Sequence, residues 1–260
     1  MLSLNVSIII TLLTFKLNAY SRAVILSPAI ADIFIKLNIQ NKVIGVTKHI
    51  KGFKKAVKVG THIKPNIEII KSLKPDIIFI SSYRFFPKEF ADKIGAEIFI
   101  YNPYTLDEIL KSIKNIGKLF NKEKKALILI NNLENKLKKL KPVKYHPKVI
   151  YEIMSNPYIV AGEKNIINDI IIKAGGINLI KVKKKLVRYS QEKVRFLKPD
   201  VYIYQTGPMN KNPDNPLKRV WFKGCKFHVV KVKETQFARP NTKSFDNVIF
   251  LNKIFHNLIF

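Results

Sequence analysis

Residues 68–76 read Glu-x-Ile-x-x-Leu-Lys-Pro-Asp, and residues 192–200 read Glu-x-Val-x-x-Leu-Lys-Pro-Asp. Each copy is followed by an apolar run, residues 77–80 and 201–204. A repeat of this kind constrains architecture first, because each copy is one supersecondary unit with the same packing needs. The residue before a proline is driven out of the α region, so a helix must stop at each Lys-Pro pair. The apolar run that follows reads as a strand. It lacks polar alternation and is therefore expected to be buried on both faces, as in a parallel sheet covered by helices. Two such units on either side of a long helical stretch predict two similar lobes.

The remaining pattern agrees. Strands are predicted at 23–26, 43–46, 77–81 and 97–101, alternating with helices at 30–37, 67–73 and 89–94, the last stopped by Gly95. Strand, helix, strand in this order implies a parallel sheet. Thr105-Leu106-Asp107-Glu108 is a capping box that opens the next helix, and Asn121 breaks it. Residues 122–140 carry Leu127, Ile130, Leu133 and Leu137 at helical spacing, which predicts a helix about 28 Å long. Strands at 149–153, 201–204 and 229–232 alternate with helices at 165–174, 192–197 and 245–258, with Gly175-Gly176 as a stop. The expected fold class is α/β: two similar parallel-sheet lobes, residues 22–120 and 145–260, bridged by a single long rigid helix within 121–144. A ligand cleft lies between the lobes. A helical bridge lacks loop hinges, so closure on binding should be small.

Residues 6–15 form an apolar run that suits the core of a secretory signal and is too short to span a bilayer. Ala19 and Ser21 are placed for cleavage before Arg22, so residues 1–21 are expected to be an export signal and the mature chain periplasmic. Lys and Arg number 47 against 18 Asp and Glu, a formal +29. Spread along the chain and not gathered in a tail, these charges fit a solvated basic surface. A basic nucleic-acid or anionic-surface binder is the alternative they leave open. Cys225 is the one cysteine, which excludes an intrachain disulfide and a cysteine-based metal site. No GxSxG, phosphate loop or GxGxxG is present, and acidic residues are sparse in the expected cleft loops. The chain reads as a binder and not an enzyme.

Arg22-Ala23-Val24-Ile25-Leu26-Ser27-Pro28, Lys42-Val43-Ile44-Gly45-Val46, Val59-Gly60, Asn66-Ile67-Glu68 with Leu73-Lys74-Pro75-Asp76, and Ala174-Gly175-Gly176-Ile177-Asn178 occur in a telling order. In that order the sequence resembles the periplasmic solute-binding proteins with a helical backbone, which serve ATP-driven importers of cobalamin, haem and ferric siderophores. Asn156-Pro157-Tyr158, Ala161-Gly162-Glu163-Lys164 and Phe237-Ala238-Arg239 look most like the cobalamin-binding branch. The resemblance implies a monomer that delivers cobalamin, or else haem or a ferric siderophore, to an inner-membrane permease. Glu68 and Glu192 would dock one lobe each on that permease. Corrin-contacting loops would fall at His49 and at Thr235, Gln236, Phe237, Ala238 and Arg239. His49 stands where relatives often carry an aromatic, and Gln236 replaces one.

The residues themselves allow this. Tyr83, Phe85, Phe86, Tyr101, Tyr104, Tyr158 and Tyr189 fall in loops after strands, where a cleft collects its lining, and rings suit a flat macrocycle. Arg84, Arg188 and Arg239 can grip a carboxylate or phosphate. His49 could be an axial ligand to cobalt or iron. The other histidines show no paired spacing, and no resident metal or cofactor is expected.

Overall fold

The computed structural model describes residues 19–258. The apolar run at 6–15 lies outside them. Strands β1 (Ala23–Ile25), β2 (Val43–Val46), β3 (Val57–Lys58), β4 (Ile77–Ile80) and β5 (Glu97–Ile100) form one parallel sheet in the order β3-β2-β1-β4-β5. Helices α1 (Ala31–Lys36), α2 (Ile67–Ser72) and α3 (Lys88–Ile94) make the crossovers. β1 and β4 are buried along their whole length, as expected of strands covered on both faces. Gly95 ends α3 in the left-handed conformation, φ 74°, where a residue without a Cβ meets no steric penalty.

Two helices follow, α4 (Leu106–Leu119) and α5 (Glu123–Leu137), separated by Asn121 at φ 51°. Thr105 caps α4 by accepting from the Glu108 amide at 3.1 Å. Glu108 reaches back past Thr105 to the Tyr104 amide at 2.8 Å, one residue beyond the expected capping box. α5 is shorter than the predicted 122–140. Its 15 residues span about 22 Å. Beyond Lys138, the amides of Lys139 and Leu140 close tighter three-residue turns on Lys136 and Leu137, as helix ends commonly do. Leu133 is buried and Leu127 is 59% exposed, so the contact stripe is narrower than its apolar spacing implied.

The second sheet holds β6 (Lys148–Met154), β7 (Ile159–Ala161), β8 (Ile177–Asn178), β9 (Leu186–Arg188), β10 (Val201–Thr206) and β11 (His228–Lys233), in the order β11-β10-β6-β7-β9 with β8 also on β6. The pairings of β6, β10 and β11 are parallel. Those of β7 with β6 and β9 are antiparallel, which corrects the all-parallel expectation at this edge. Three-residue strands leave no periodicity to read. Helices α6 (Ile166–Lys173), α7 (Gln191–Phe196), α8 (Glu234–Phe237) and α9 (Lys243–Asn257) complete the second half.

The repeat holds down to its hydrogen bonds. Asn66 caps α2 and Ser190 caps α7, each through its side-chain oxygen. Lys74 and Lys198 both take φ 47°. The Asp76 carboxylate accepts from the amides of Ser21 (2.8 Å) and Arg22 (3.1 Å), and Asp200 accepts from that of Lys148 (2.7 Å). In return the Asp76 amide donates to the Arg22 carbonyl and the Asp200 amide to that of Lys148. The Leu-Lys-Pro-Asp segment is therefore a clamp between a helix end and the start of the sheet's central strand. Glu68 and Glu192 take no part in it. Both are exposed, and neither has a hydrogen-bond or ion-pair partner among the described residues.

One apolar core runs from β1, β2 and β4 through α4 and α5 into α6, α9, β6 and β10. The two sheets thus share a core. Polar contacts cross between them as well: Asp32 of α1 accepts from the Thr242 amide (3.2 Å) and hydroxyl (2.5 Å) ahead of α9, and Asp169 of α6 accepts from the Leu106 amide at 2.7 Å.

Candidate ligand cleft

The carboxyl ends of the first sheet's strands carry three turns. After β2, the Ile50 amide closes a turn on the Thr47 carbonyl at 3.0 Å and exposes His49. After β3, Gly60 bridges to Pro65. Gly60 is required here: its φ is +88°, and a Cβ would stand 2.6 Å from the Lys64 carbonyl oxygen. Its own carbonyl accepts from the Lys48 amide at 2.7 Å, which ties the β3 turn to the β2 turn. His62 projects from the turn so formed. After β4, residues 81–87 carry Tyr83, Arg84 and Phe85.

His62 and Phe85 meet edge to face at 5.7 Å between ring centroids, and the Arg84 guanidinium lies 5.6 Å from the centre of the same phenyl ring. Partial burial lowers the His62 pKa from its ordinary 6.5, and the positive fields of Arg239 and His49 lower it further. Arg239 comes from the other half of the molecule. His62, beside Phe85 and Arg84, thus lies within electrostatic reach of His49 in the same half and of Arg239 in the other. The Tyr101 hydroxyl donates to the Pro240 carbonyl at 2.8 Å and holds the Arg239 segment against the first sheet. At the far side, Lys185 Nζ donates to Asn102 Oδ1 at 2.7 Å, and burial of this ammonium lowers its pKa.

The structure redistributes the residues expected to line the cleft. Tyr83 and Tyr104 are exposed and Tyr189 is half-buried. Tyr101, 1% exposed, is a joint between the halves and not a cleft wall. Tyr158 is buried in a core of the second half, with its hydroxyl 2.8 Å from that of Tyr202. Phe237 is buried too, stacked on Tyr151 at 5.9 Å. Its neighbours Thr235 and Gln236 are exposed, and Ala238 and Arg239 are half-buried. Residues 234–237 are a helix and not an open loop, which turns Phe237 into the core. His62 is a candidate that pattern reading missed. Its ring meets Phe85 across two separate turns, and such spatial placement leaves no fixed spacing in sequence. Among the described residues no group of three or more His, Cys, Asp and Glu side chains could hold a metal ion, and no helix is long and apolar enough to cross a membrane.

A family model described as "Periplasmic binding protein" matches residues 24–212. The "High-affinity heme uptake system protein IsdE" of Staphylococcus aureus strain MRSA252 is 28% identical over 203 residues, covering 72% of this chain and 69% of that protein. Among solved structures, an ABC transporter substrate-binding protein from Listeria monocytogenes EGD-e superposes with a TM-score of 0.77 at 20% identity, over 90% of this chain and 98% of that one. The vitamin B12 binding protein BtuF of Vibrio cholerae superposes with a TM-score of 0.72, also at 20% identity, over 92% and 99%. With the paired sheets, the connecting helix α5 and the matched residues taken together, the chain belongs to the periplasmic binding protein family, as a helical-backbone solute binder of ATP-driven importers and not an enzyme.

Proposed function

We propose that this extracytoplasmic protein captures an iron porphyrin, haem, and hands it to an importer's permease. The observation that carries the reading is the His62–Phe85–Arg84 cluster in the turns after β3 and β4, which lies within reach of the positive charges of His49 and Arg239. A porphyrin brings four equatorial nitrogens of its own, so one or two imidazoles complete its iron where a bare ion would need a full cluster. The conditions that lower the His62 pKa keep its ring neutral, which is the ligating form. Arg84 and Arg239 offer bidentate donors to two propionates. Tyr83, Phe85 and Tyr104 supply ring surface. The heme uptake named for the Staphylococcus relative is consistent with this choice. A corrinoid, to which the sequence resemblance leans, has less support. Phe237, the ring of the expected corrin-contacting segment, packs in the core.

Absorbance titration tests the choice. Haemin is expected to bind one to one with a displaced Soret band, and His62→Ala to weaken binding by about tenfold or more, at least the loss typical of disturbing the groups that support a metal's ligands. Saturable binding of cyanocobalamin with none of haemin would overturn the haem reading and leave the transport role standing.

Glu68 and Glu192 are proposed to dock the two lobes on the permease. Exposed, unpaired and symmetrically placed by the repeat, they can set orientation through arginine partners. Glu68→Ala with Glu192→Ala is expected to leave haemin affinity unchanged and to abolish stimulation of the reconstituted importer's ATPase. Full stimulation by that variant would place the docking surface elsewhere.

A further inference from the structure

The second half exposes an apolar cluster that the cleft does not use. Phe196 at the end of α7 is 74% exposed, Val220 is 84% exposed and Trp221 is 51% exposed. They form one patch: α7 packs on the 3₁₀ turn Val220–Phe222, and Arg195 Nη1 donates to the Trp221 carbonyl at 3.5 Å. The turn is held from beneath. Phe222 is fully buried, edge-on to Tyr202 at 5.2 Å. The Arg219 guanidinium forks onto the fully buried Glu152 carboxylate at 2.5 and 3.0 Å. Glu152 accepts from the Tyr202 hydroxyl at 2.6 Å as well. Val220 and Trp221 are therefore presented outward from a rigid base.

Cations surround this patch. Lys193, Arg195, Lys198, Lys218, Lys223 and Lys226 are all exposed, and Arg195, Lys198 and Lys226 line one depression. None of the six takes part in the ion pairs found among the described residues. The nearby carboxylates Glu192, Asp214 and Asp200, the last lining the same depression, are three against these six cations.

We propose that this face docks on the anionic phospholipid surface of a bilayer, with Trp221, Val220 and Phe196 entering the headgroup layer and the lysines meeting lipid phosphates. Rings of tryptophan sit at the membrane interface because one end is apolar and the other polar. Each lysine near an anionic leaflet adds attraction, and the apolar centre adds burial. A nucleic acid would use the cations, but the projecting aliphatic apex at Val220 would gain nothing from it, whereas a bilayer rewards both.

Trp221 is the one tryptophan of the chain, so its emission reports on this face alone. The full-length chain is to be mixed with vesicles of phosphatidylcholine and with vesicles that also contain phosphatidylglycerol. A blue shift is expected only with the anionic vesicles, reversed by salt and quenched by brominated acyl chains. Phe196→Ser with Val220→Ser is expected to weaken partitioning by about tenfold, by removing exposed apolar area, and Lys223→Glu with Lys226→Glu to do the same by charge. The apolar residues 6–15 could bring the chain to vesicles, but they would not move Trp221 emission or respond to these variants. The proposal is overturned if no shift occurs or if neither double variant changes it. It is overturned equally if emission responds to duplex DNA and not to lipid, or only to vesicles that carry the permease.

Discussion

His62 shows how a histidine's proton affinity is set by neighbours that sequence cannot place beside it. Desolvation, Arg239 and His49 all act in one direction on its imidazolium. The folded-state pKa lies below the unfolded value of 6.5, so the unfolded chain binds more protons just below that pH. Stability linked to this group is full above 6.5 and is lost as pH falls below it. Ligand binding follows the same sign, because a proton competes with iron for the ring. Haemin affinity is expected to hold down to pH 6.5 and to fall only below it, and His62→Asn to flatten that acid limb. Titration across this range in the parent and the variant checks both. Tyr101 carries the opposite lesson. Its place after a strand suggested a cleft wall, yet its hydroxyl is spent on the Pro240 carbonyl. Strand-end position was legible, but the direction of the ring was not, because that depends on the other half of the chain.

At the scale of elements, turn chemistry was the most readable signal. Gly95, Asn121 and the two Lys-Pro pairs end helices where their backbone preferences require. The repeat was visible in sequence, but its purpose was not. The aspartate's clamp on the central strand explains why Leu-Lys-Pro-Asp recurs, and it leaves the glutamates free for another task. Gly60 is the element-scale test. Its positive φ and the 2.6 Å approach of Lys64 leave no space for a side chain. Gly60→Ala is expected to destabilise the fold by about 1–2 kcal/mol and to weaken haemin binding by displacing His62. Chemical denaturation and the same absorbance titration would read the two effects, and unchanged binding would detach the turn from the site.

At the scale of the whole molecule, the shared core decides how the protein moves. α5 is helical and packed, and the core it joins is continuous between the sheets. Contacts of Asp32 with Thr242 and of Tyr101 with Pro240 add fixed points between the halves. Packed interiors resist continuous deformation. Ligand binding is therefore expected to change the radius of gyration by no more than about 1 Å, within the range of pre-organised binders. Small-angle scattering with and without haemin measures this, and a larger contraction would mean that the halves hinge.

From sequence alone, local physics determined much of this protein. Apolar runs, proline and glycine stops and the duplicated motif were enough for two α/β halves joined by a helix. Each depends on interactions within a few residues, or on a pattern repeated along the chain. The antiparallel strands β7 and β9 escaped because three residues carry no period. Only the tertiary structure could set His62 against Phe85, bring the charges of His49 and Arg239 to bear on it, and withdraw Tyr101, Tyr158 and Phe237 from solvent. Those facts belong to the packing of distant segments. Neither residue type nor spacing encodes them one position at a time.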